Sequence, residues 1–284
     1  MTLLSVKDLW VRFPTRQGIF DAVRGISFDL GKERLGIVGE SGSGKSMTGR
    51  AILRLIREPG IVEATHVSLN GQNLLDLTEK QMRSVRGKQI TMVMQDPKFS
   101  LNPVMTVGEQ LMESYRLHNP GGSRVEARQK SVEMLEAVSI RDADRVMRAY
   151  PHEVSGGMGQ RIMIAMMLIP DPQLLIADEP TSALDVSVQR QVLAIMDGLV
   201  RERGMGLIFI SHDLNLVSEF CDRVLIMYAG RIVEVCEAGK LHEAQHPYTQ
   251  GLLNSLPRLD QPRKYLDVLQ RDDAWKDAPL ETGQ

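Results

Sequence analysis

Short runs of apolar residues punctuate the chain, each bounded by glycine, proline or charged residues. Runs of four or five such residues are typical of strands that are buried on both faces of a parallel sheet. They lie at residues 35–38, 90–94, 174–177, 207–210 and 224–227. Residues 186–203, between the third and fourth runs, have helical apolar spacing instead. Because parallel strands need a crossover connection, this stretch predicts a β-α-β unit within an α/β fold.

Residues 107–167 have a different pattern, which favours helices throughout. The segment is rich in Met, Glu, Arg and Gln, and Val132, Leu135 and Val138 have helical spacing. We predict a mostly helical insert between two strands, interrupted by a loop at the Asn-Pro-Gly-Gly-Ser sequence of residues 119–123. After Gly239 the chain becomes polar and contains prolines, which predicts a tail that is only partly ordered.

The composition is that of a globular protein. Of 284 residues, 43% are hydrophobic and 25% are charged, which suits one large or two small domains. The formal net charge of -2 excludes attraction to nucleic acid or an anionic bilayer by charge alone. No apolar run approaches the ~20 residues of a membrane span, and the first ten residues lack the features of a signal peptide. With only two cysteines, the chain is predicted to be soluble and cytosolic, without a disulfide scaffold.

The clearest chemical motif is G-E-S-G-S-G-K-S at residues 39–46, which fits the phosphate-binding P-loop pattern. It follows an apolar run and precedes a helical pattern through Leu55, the context that such a loop requires. Its glycines let backbone N–H groups turn inward around phosphate oxygens, and the helix adds the positive end of its dipole. Lys45 is predicted to reach the β- and γ-phosphates, and the Ser46 hydroxyl to bind Mg²⁺. The predicted nucleotide-binding residues of the loop are Gly39, Glu40, Ser41, Gly42, Ser43, Gly44, Lys45, Ser46 and Met47.

A pair of carboxylates ends another predicted strand. Asp178 and Glu179 follow the apolar run at residues 174–177, as in a Walker B motif. Asp178 is predicted to hold Mg²⁺, directly or through water, and Glu179 to polarise the water that attacks the γ-phosphate. An acidic pair after a strand is usually a helix cap or a solvated turn, so this prediction depends on the P-loop being present as well.

Further segments place the chain in a family. Residues 95–97 read Q-D-P, residues 154–161 read V-S-G-G-M-G-Q-R, residues 182–185 read S-A-L-D and residues 211–213 read S-H-D. They resemble the Q-loop, signature sequence, D-loop and switch histidine of the ATP-binding-cassette (ABC) family. With the P-loop and Walker B motifs they stand in that family's order, and the resemblance covers about residues 3–237.

The resemblance implies a P-loop NTPase fold of the ABC type, with a RecA-like mixed-sheet core, a helical subdomain and a short C-terminal extension. The implied boundaries are 1–98 for the first part of the catalytic core, with N-terminal strands and the P-loop, and 99–168 for the helical subdomain. Residues 169–238 would continue the core, and residues 239–284 would form the extension.

The resemblance also implies roles for residues outside the P-loop. Ser155, Gly156 and Gly157 open a helical run and would form an anion site without a lysine. In this family that site closes over the P-loop ATP of a second subunit in a head-to-tail dimer. Gln95 would touch Mg²⁺ or water and move with the helical insert, and His212 would bridge the γ-phosphate and the attacking water.

One aromatic residue is expected to stack on adenine. Phe13 matches best the aromatic residue that does so in the family, and Phe20 is its rival. A lone phenylalanine near an N-terminus is usually a core residue, so the assignment depends on the resemblance.

The C-terminal part resembles a narrower group within the family. The sequence H-P-Y-T-Q-G-L-L at residues 246–253 is similar to the extension of oligopeptide, dipeptide and nickel importer ATPases, and Met158 in the signature fits that group. Some members hold a cysteine cluster there, for which Cys236 alone provides too few ligands. The pattern H-E-x-x-H at residues 242–246 is typical of zinc proteases, but Pro247 disfavours a helical conformation at His246, and no zinc site is predicted.

The resemblance implies an ATP-hydrolysing subunit that uses ATP and Mg²⁺ to energise an importer of oligopeptides, dipeptides or related solutes, with nickel, opines and glycosides left open. The implied partners are a second ABC ATPase subunit of the same or a related chain, two integral membrane permease subunits and, indirectly, an extracytoplasmic solute-binding protein. No nucleic-acid partner is expected. The implied location is the cytoplasmic face of the bacterial inner membrane, as a peripheral protein.

Three other functions share some of these motifs. An ABC-type ATPase of a soluble metabolic complex, as in phosphonate breakdown, is the alternative, because similar extensions occur there. A DNA-repair cassette is disfavoured, because Lys45 and Ser155 are only 110 positions apart, whereas those proteins separate the two motifs by hundreds of coiled-coil residues. A simple P-loop kinase would not need the signature or the switch histidine.

Overall fold

The structure, a computed structural model, describes residues 2–94, 100–182, 184–255, 272–276 and 281–282. The chain forms two compact units: Met1–Asp76 together with Ile208–Gln284, and Leu77–Leu207. Both units combine strands and helices, which confirms the predicted α/β class. The subdomain boundaries expected at residues 98, 168 and 238 stay predictions.

The first unit contains an antiparallel sheet made from the beginning of the chain. β1 (Leu4–Thr15) pairs with β2 (Gly18–Leu30), and it also pairs with β4 (Ile61–Glu63) and β5 (His66–Leu69). β6 (Gln72–Asn73) extends the sheet beyond β5. The strands β1 and β2 mix buried and exposed positions, so continuous apolar runs do not mark their bounds.

The same unit also carries strands of the fully buried kind. β3 (Arg34–Val38) pairs in parallel with β10 (Arg223–Tyr228), and its other neighbour is β9 (Gly206–Ser211), which belongs to this unit from Ile208 onward. β11 (Arg231–Glu237) is antiparallel to β10, so the sheet is mixed as expected, and β12 (Glu281–Thr282) lies along β11. Every residue of β9 is buried, as is every residue of β3 and β10 after the first. Burial on both faces explains the continuous apolar runs in these strands.

The helices of the first unit are α1 (Lys45–Ile52), α8 (Leu214–Phe220) and α9 (Pro247–Asn254), with 3-10 helices at Leu74–Asp76, Ala238–Glu243 and Asp273–Lys276. The prediction that the first helix extends through Leu55 is wrong. Arg54 adopts a left-handed conformation with φ 52°, and its N–H donates to the Ala51 carbonyl at 2.9 Å. The Leu55 N–H donates to the Arg50 carbonyl at 2.8 Å. This closure satisfies the last carbonyls and turns the chain out of the helix.

The second unit contains a pair of parallel strands. β7 (Ile90–Val93) and β8 (Leu174–Asp178) pair along their length, and every residue of both is buried. α2 (Glu79–Val85) precedes β7, and α7 (Val186–Arg203) follows β8 with the predicted bounds. α7 ends at Gly204, which has φ 59° and caps the helix in the left-handed conformation.

The predicted helical insert is confirmed within the second unit. Its helices are α3 (Val107–His118), α4 (Arg124–Ala137), α5 (Ala143–Arg148) and α6 (Gly156–Leu168). Each begins at a residue whose side chain accepts a backbone N–H of the first turn; these residues are Thr106, Ser123, Asp142 and Ser155. Such caps satisfy donors that the helix itself cannot satisfy. The loop predicted at residues 119–123 separates α3 from α4.

Among the helices of the described residues, none is both long enough and apolar enough to cross a membrane. Of the tail after Gly239, for which partial order is predicted, the structure describes residues 240–255, 272–276 and 281–282, and the prediction for the others lies outside the described residues. Up to Ser255 the chain is folded, as a 3-10 helix followed by α9.

Candidate nucleotide-binding site

The P-loop connects β3 to α1, as the sequence predicts. Gly39, Gly42 and Gly44 have φ values of 152°, 83° and 101°, a region that favours glycine. A side chain at Gly39 would collide with the carbonyl oxygen of Met227, and one at Gly44 with that of Ala22. Two of the glycines are therefore required by close contact with neighbouring backbone as well as by the path of the loop.

Lys45 lies inside the curve of the loop. Its side chain is only 5% exposed, and Nζ donates hydrogen bonds to the carbonyl oxygens of Gly39 and Glu40, each at 2.8 Å. A buried ammonium group is tolerated only where it is paired or hydrogen-bonded. These contacts hold a positive charge within the loop.

The first turn of α1 supplies further groups that suit an anion. The first N–H groups of a helix have no acceptor within it, and here they belong to Lys45, Ser46 and Met47. No acidic residue lies in this turn, so its positive dipole end is not neutralised locally. The Ser43 hydroxyl is buried and has no hydrogen-bond partner among the described residues. Amides, hydroxyls and one ammonium group together form a site suited to phosphate oxygens.

Two contacts support the P-loop, one from the β10–β11 turn and one from α9. The Gly230 N–H donates to the Ser43 carbonyl at 3.1 Å. The Glu40 N–H donates to the hydroxyl oxygen of Tyr248, in α9, at 3.0 Å. Glu40 and Tyr248 are 208 positions apart, so sequence reasoning missed this contact; the tyrosine in the C-terminal motif was the only signal.

The proposed switch histidine follows β9 in the first unit. His212 is exposed, and the residues on either side of it shape the turn. The Ser211 hydroxyl accepts from the Asp213 N–H at 3.0 Å, and the Asp213 carboxylate accepts from the Leu216 N–H at 3.1 Å, which caps α8. The S-H-D sequence therefore presents the imidazole at a strand end that its neighbours hold in place.

Both candidate adenine-stacking residues lie near the end of the β1–β2 hairpin. Phe13 and Phe20 are directly opposite each other across the two strands. Phe20 is 57% exposed, whereas Phe13 is half-buried and packs so close to Gly60 that a side chain there would meet its ring at 2.7 Å. Both rings are therefore on the same part of the hairpin, and the choice between them stays a prediction.

The Walker B carboxylates are at the end of β8 in the second unit. Asp178 is its last residue and is 4% exposed, and Glu179 is half-buried with φ 47°. Such a conformation is unfavourable for a residue with a side chain and persists only where neighbours hold it. The Glu179 carbonyl accepts from the Ser182 N–H at 3.3 Å and from its hydroxyl at 3.1 Å. The Pro180 carbonyl accepts from the side-chain amide of Gln160, a buried residue of α6 that sequence reasoning missed.

The signature sequence forms the start of α6 in the same unit. Ser155 is the N-cap, and its hydroxyl accepts from the Met158 N–H at 3.4 Å. Ser155 and Gly156 are exposed, and no acidic residue lies in the first turn. A side chain at Gly157 would meet Val188 of α7 at 2.7 Å. The glycine therefore permits close packing of the two helices, while the helix start itself stays open to solvent.

The D-loop residue Asp185 is the N-cap of α7. Its carboxylate accepts from the backbone N–H groups of Ser187 and Val188, each at 3.0 Å. The hydrogen bond from the Val188 N–H, followed by that from the Ser187 hydroxyl, lowers the pKa of this carboxyl group. Ala183, in the same motif, lies outside the described residues.

The Q-loop prediction cannot be placed in the structure, because Gln95, Asp96 and Pro97 lie outside the described residues.

The H-E-x-x-H pattern does not form one helix, because the 3-10 helix ends at Glu243 and His246 is the N-cap of α9. The two histidines therefore belong to different elements, as expected from Pro247.

Two family models match the chain. The ABC transporter model matches residues 23–182, more than half of the chain. The chain belongs to the ABC transporter family. The C-terminal region model of oligopeptide/dipeptide transporters matches residues 233–278. As an ABC protein of this kind, the chain is an ATPase that binds and hydrolyses ATP.

Curated relatives of this ABC ATPase match most of its length. The oligopeptide transport ATP-binding protein OppD of Salmonella typhimurium is 50% identical over 260 residues, which cover 91% of this chain and 77% of OppD. OppD of Bacillus subtilis is 48% identical over 261 residues, covering 91% of this chain and 73% of the relative.

Solved structures confirm the cassette fold of this ABC ATPase. The dimeric ATP-binding cassette MJ0796 in a post-hydrolysis state, bound to ADP and Pi, superposes with a TM-score of 0.74 at 25% identity, covering 83% of this chain and 99% of that one. The cbiO1 protein of Clostridium perfringens superposes with a TM-score of 0.73 at 23% identity, covering 85% of this chain and 91% of that one. The second likeness concerns the fold alone.

Proposed function

We propose that this ABC ATPase is the energising subunit of an importer for oligopeptides or dipeptides. One observation carries the proposal: a single folded unit combines a P-loop closed around Lys45 with the segment matched by the C-terminal region of oligopeptide/dipeptide transporters. The OppD relatives, named as oligopeptide transport proteins, support the same substrate class. Their names do not favour the alternative of a soluble metabolic complex.

Within the P-loop, the nucleotide phosphates are assigned to the backbone and side chains of residues 39–47. The Lys45 ammonium group offsets charge on the β- and γ-phosphates, and the amides of the α1 start bind their oxygens. Phe13, or its neighbour Phe20, stacks on the adenine ring. The support is the conformation of the loop and the position of both rings on the hairpin.

The metal ion is assigned to Ser46, Asp178 and Gln95. A hydroxyl group in the first turn of α1 and a carboxylate at the buried end of β8 are oxygen ligands of the kind that Mg²⁺ prefers. When bound, Mg²⁺ neutralises charge that develops on the phosphate oxygens. The assignment of Gln95 as a metal ligand rests on the family resemblance alone.

Hydrolysis is assigned to Glu179, His212 and Gln95. Glu179 orients and polarises the attacking water, and His212 contacts the γ-phosphate and that water. The start of α6, at Ser155, Gly156 and Gly157, binds the γ-phosphate of ATP held by a second cassette. The exposure of Ser155 and Gly156 supports this, since a helix start already covered by its own chain could not contact a second subunit.

The importer requires partners that this chain does not contain. We assign a second ABC ATPase subunit, two integral membrane permease subunits and an extracytoplasmic solute-binding protein that acts through them. The chain would then be peripheral, at the cytoplasmic face of the inner membrane. Copurification of the tagged full chain with integral membrane subunits, together with ATPase activity that peptides stimulate, is the expected result. Recovery only in a soluble assembly would contradict the proposal.

Replacement of Glu179 tests the hydrolytic step. Glu179→Gln retains ATP binding through the P-loop but loses the base, so turnover should fall by about 10²–10⁴-fold and ATP should trap a dimer. ATPase assays and size-exclusion chromatography with ATP measure the two effects. The matched control is Glu202→Gln, an exposed glutamate of α7, which should behave as the wild type. Wild-type turnover by Glu179→Gln would refute the assignment of the base.

A further inference from the structure

The P-loop has a backbone contact that none of its phosphate-binding roles explains. The N–H of Glu40, its second residue, donates to the hydroxyl oxygen of Tyr248 at 3.0 Å. Tyr248 is fully buried and belongs to α9, within the C-terminal segment. Glu40 is among the residues assigned to the nucleotide, but the amide groups assigned to phosphate oxygens at the start of α1 lie later in the chain. The contact with Tyr248 holds the entrance of the loop.

The position of Tyr248 is set by a hydrogen-bonded turn. His246 is buried, and its Nδ1 accepts from the Tyr248 N–H at 3.2 Å. Glu234 of β11, 4% exposed, accepts through Oε1 from the N–H groups of Gln245 at 2.7 Å and His246 at 3.3 Å. A buried carboxylate therefore ties the start of the H-P-Y segment to the sheet.

Ring packing holds Tyr248 on its other sides. Its ring lies 4.5 Å from that of Tyr228, centroid to centroid, and 6.3 Å from that of Trp275. Trp275 also lies 6.2 Å from Tyr228 and 6.2 Å from His246. Such clusters contribute packing energy beyond burial, and a ring fixed in this way leaves its hydroxyl group little freedom to move.

The aromatic cluster of Tyr228, Tyr248 and Trp275 also lies next to the turn that supports the P-loop at Ser43. Tyr228 begins the turn in which the Gly230 N–H donates to the Ser43 carbonyl at 3.1 Å. The Tyr228–Tyr248 pair therefore joins the contact at Glu40 to the contact at Ser43. Tyr248 holds the entrance of the P-loop, and Gly230, two residues after Tyr228, holds its middle.

We propose that Tyr248 is a positioning residue for nucleotide binding, through which the C-terminal segment holds the P-loop in its phosphate-binding conformation. The inference rests on the role of the P-loop in binding ATP. A loop held in its bound conformation loses less entropy when the nucleotide binds. Without the hydroxyl, the Glu40 amide loses its hydrogen bond to Tyr248 and the loop can relax away from that conformation.

The test removes only the hydroxyl group. In the full-length chain, Tyr248→Phe keeps the ring packing and should weaken ADP binding by about 3- to 10-fold, the effect of one hydrogen bond. The KM for ATP should rise by a similar factor while kcat stays unchanged. The matched control is Tyr115→Phe, a buried tyrosine of the second unit whose hydroxyl donates to Glu126 at 2.7 Å; its ADP affinity should be that of the wild type. A purely structural role for Tyr248 would lower Tm and leave ADP affinity unchanged.

A reciprocal measurement uses the wild-type chain and so does not depend on the folding of a variant. Because coupling between two sites is reciprocal, ADP should slow amide hydrogen exchange in residues 246–254 and leave α4 unaffected. Wild-type ADP affinity in a folded Tyr248→Phe variant, or no protection of residues 246–254 by ADP, would overturn the proposal. Failure of the wild-type chain to bind ADP at all would instead contradict the nucleotide site itself.

Discussion

Two helix starts in this protein are suited to anions, and they are built differently. At α1 the preceding loop carries three glycines with positive φ, a buried lysine and supports from two other parts of its unit. At α6 the preceding residue, Ser155, caps the helix itself, and the start is exposed without a lysine. Both offer the positive end of a helix dipole, but only the first lies beside a loop that also holds a buried lysine.

The difference is that α1 combines helix amides with a charged side chain, whereas α6 offers helix amides without a lysine. A charge held inside a loop binds an anion without help from a second molecule, whereas an exposed helix start contributes a weak, screened interaction. In the dimer proposed above, the α6 start would contact ATP held by a second cassette. Variants at the two helix starts should accordingly differ in whether they alter binding by the single chain or turnover by the dimer.

Among variants at the two helix starts, Lys45→Ala should have the largest effect. Removal of the ammonium group should weaken ATP and ADP binding by on the order of 100-fold, since a hydrogen bond to a charged group contributes about 1.5–3 kcal/mol. Isothermal titration calorimetry of the single chain measures the affinity. Lys80→Ala, an exposed lysine of α2, is the control and should bind as the wild type. Near-normal affinity of Lys45→Ala would show that the buried lysine does not distinguish the α1 start from the α6 start.

An intermediate effect is expected from alanine at the glycines of the two helix starts. Gly44→Ala introduces a side chain at positive φ and against the Ala22 carbonyl, so it should destabilise the fold by about 1–3 kcal/mol and weaken ADP binding. Gly156→Ala meets no atom within 4 Å and should leave stability unchanged or raise it by up to about 1 kcal/mol. Thermal unfolding with and without ADP compares them. Equal losses of stability would show that the two glycines are not differently constrained.

A smaller loss of stability than that of Gly44→Ala is expected from loss of a helix cap. Ser155→Ala and Ser123→Ala each remove a hydroxyl that caps a helix, at α6 and α4, and each should cost about 1 kcal/mol. Only Ser155→Ala should also slow ATP hydrolysis by the dimer, while ADP affinity of the single chain stays unchanged for both. ATPase rates measured over a range of protein concentrations test this. Equal rates for the two variants would argue against a role of the α6 start in hydrolysis.

Local patterns made much of the fold predictable. The buried strands at residues 174–177 and 207–210 were recognisable because strands covered on both faces contain almost only apolar residues. The bounds of α7 were recognisable because its apolar spacing ends at a glycine that closes the helix. The end of α1 was not, since its closure places Arg54, a non-glycine residue, in the left-handed conformation.

The candidate site also has a part that local sequence predicts and a part that it does not predict. The order of residues 39–46 alone places a lysine and a serine at the start of a helix, because the spacing within a loop and the first helical turn is local. The backbone of Ala22 and Met227 that excludes side chains at Gly44 and Gly39 comes from other strands. Such contacts depend on the path of the whole chain, which local spacing does not specify.

The sequence by itself determined that the chain has an α/β fold, where its phosphate loop lies and which residues can provide the chemistry, because each of these follows from neighbours a few positions apart. Only the tertiary structure decided what holds that chemistry in place. The Tyr248 hydroxyl at the Glu40 amide and the Gln160 amide at the Pro180 carbonyl join segments distant in sequence. Contacts of this kind form when packing brings their segments together, so they are properties of the folded chain.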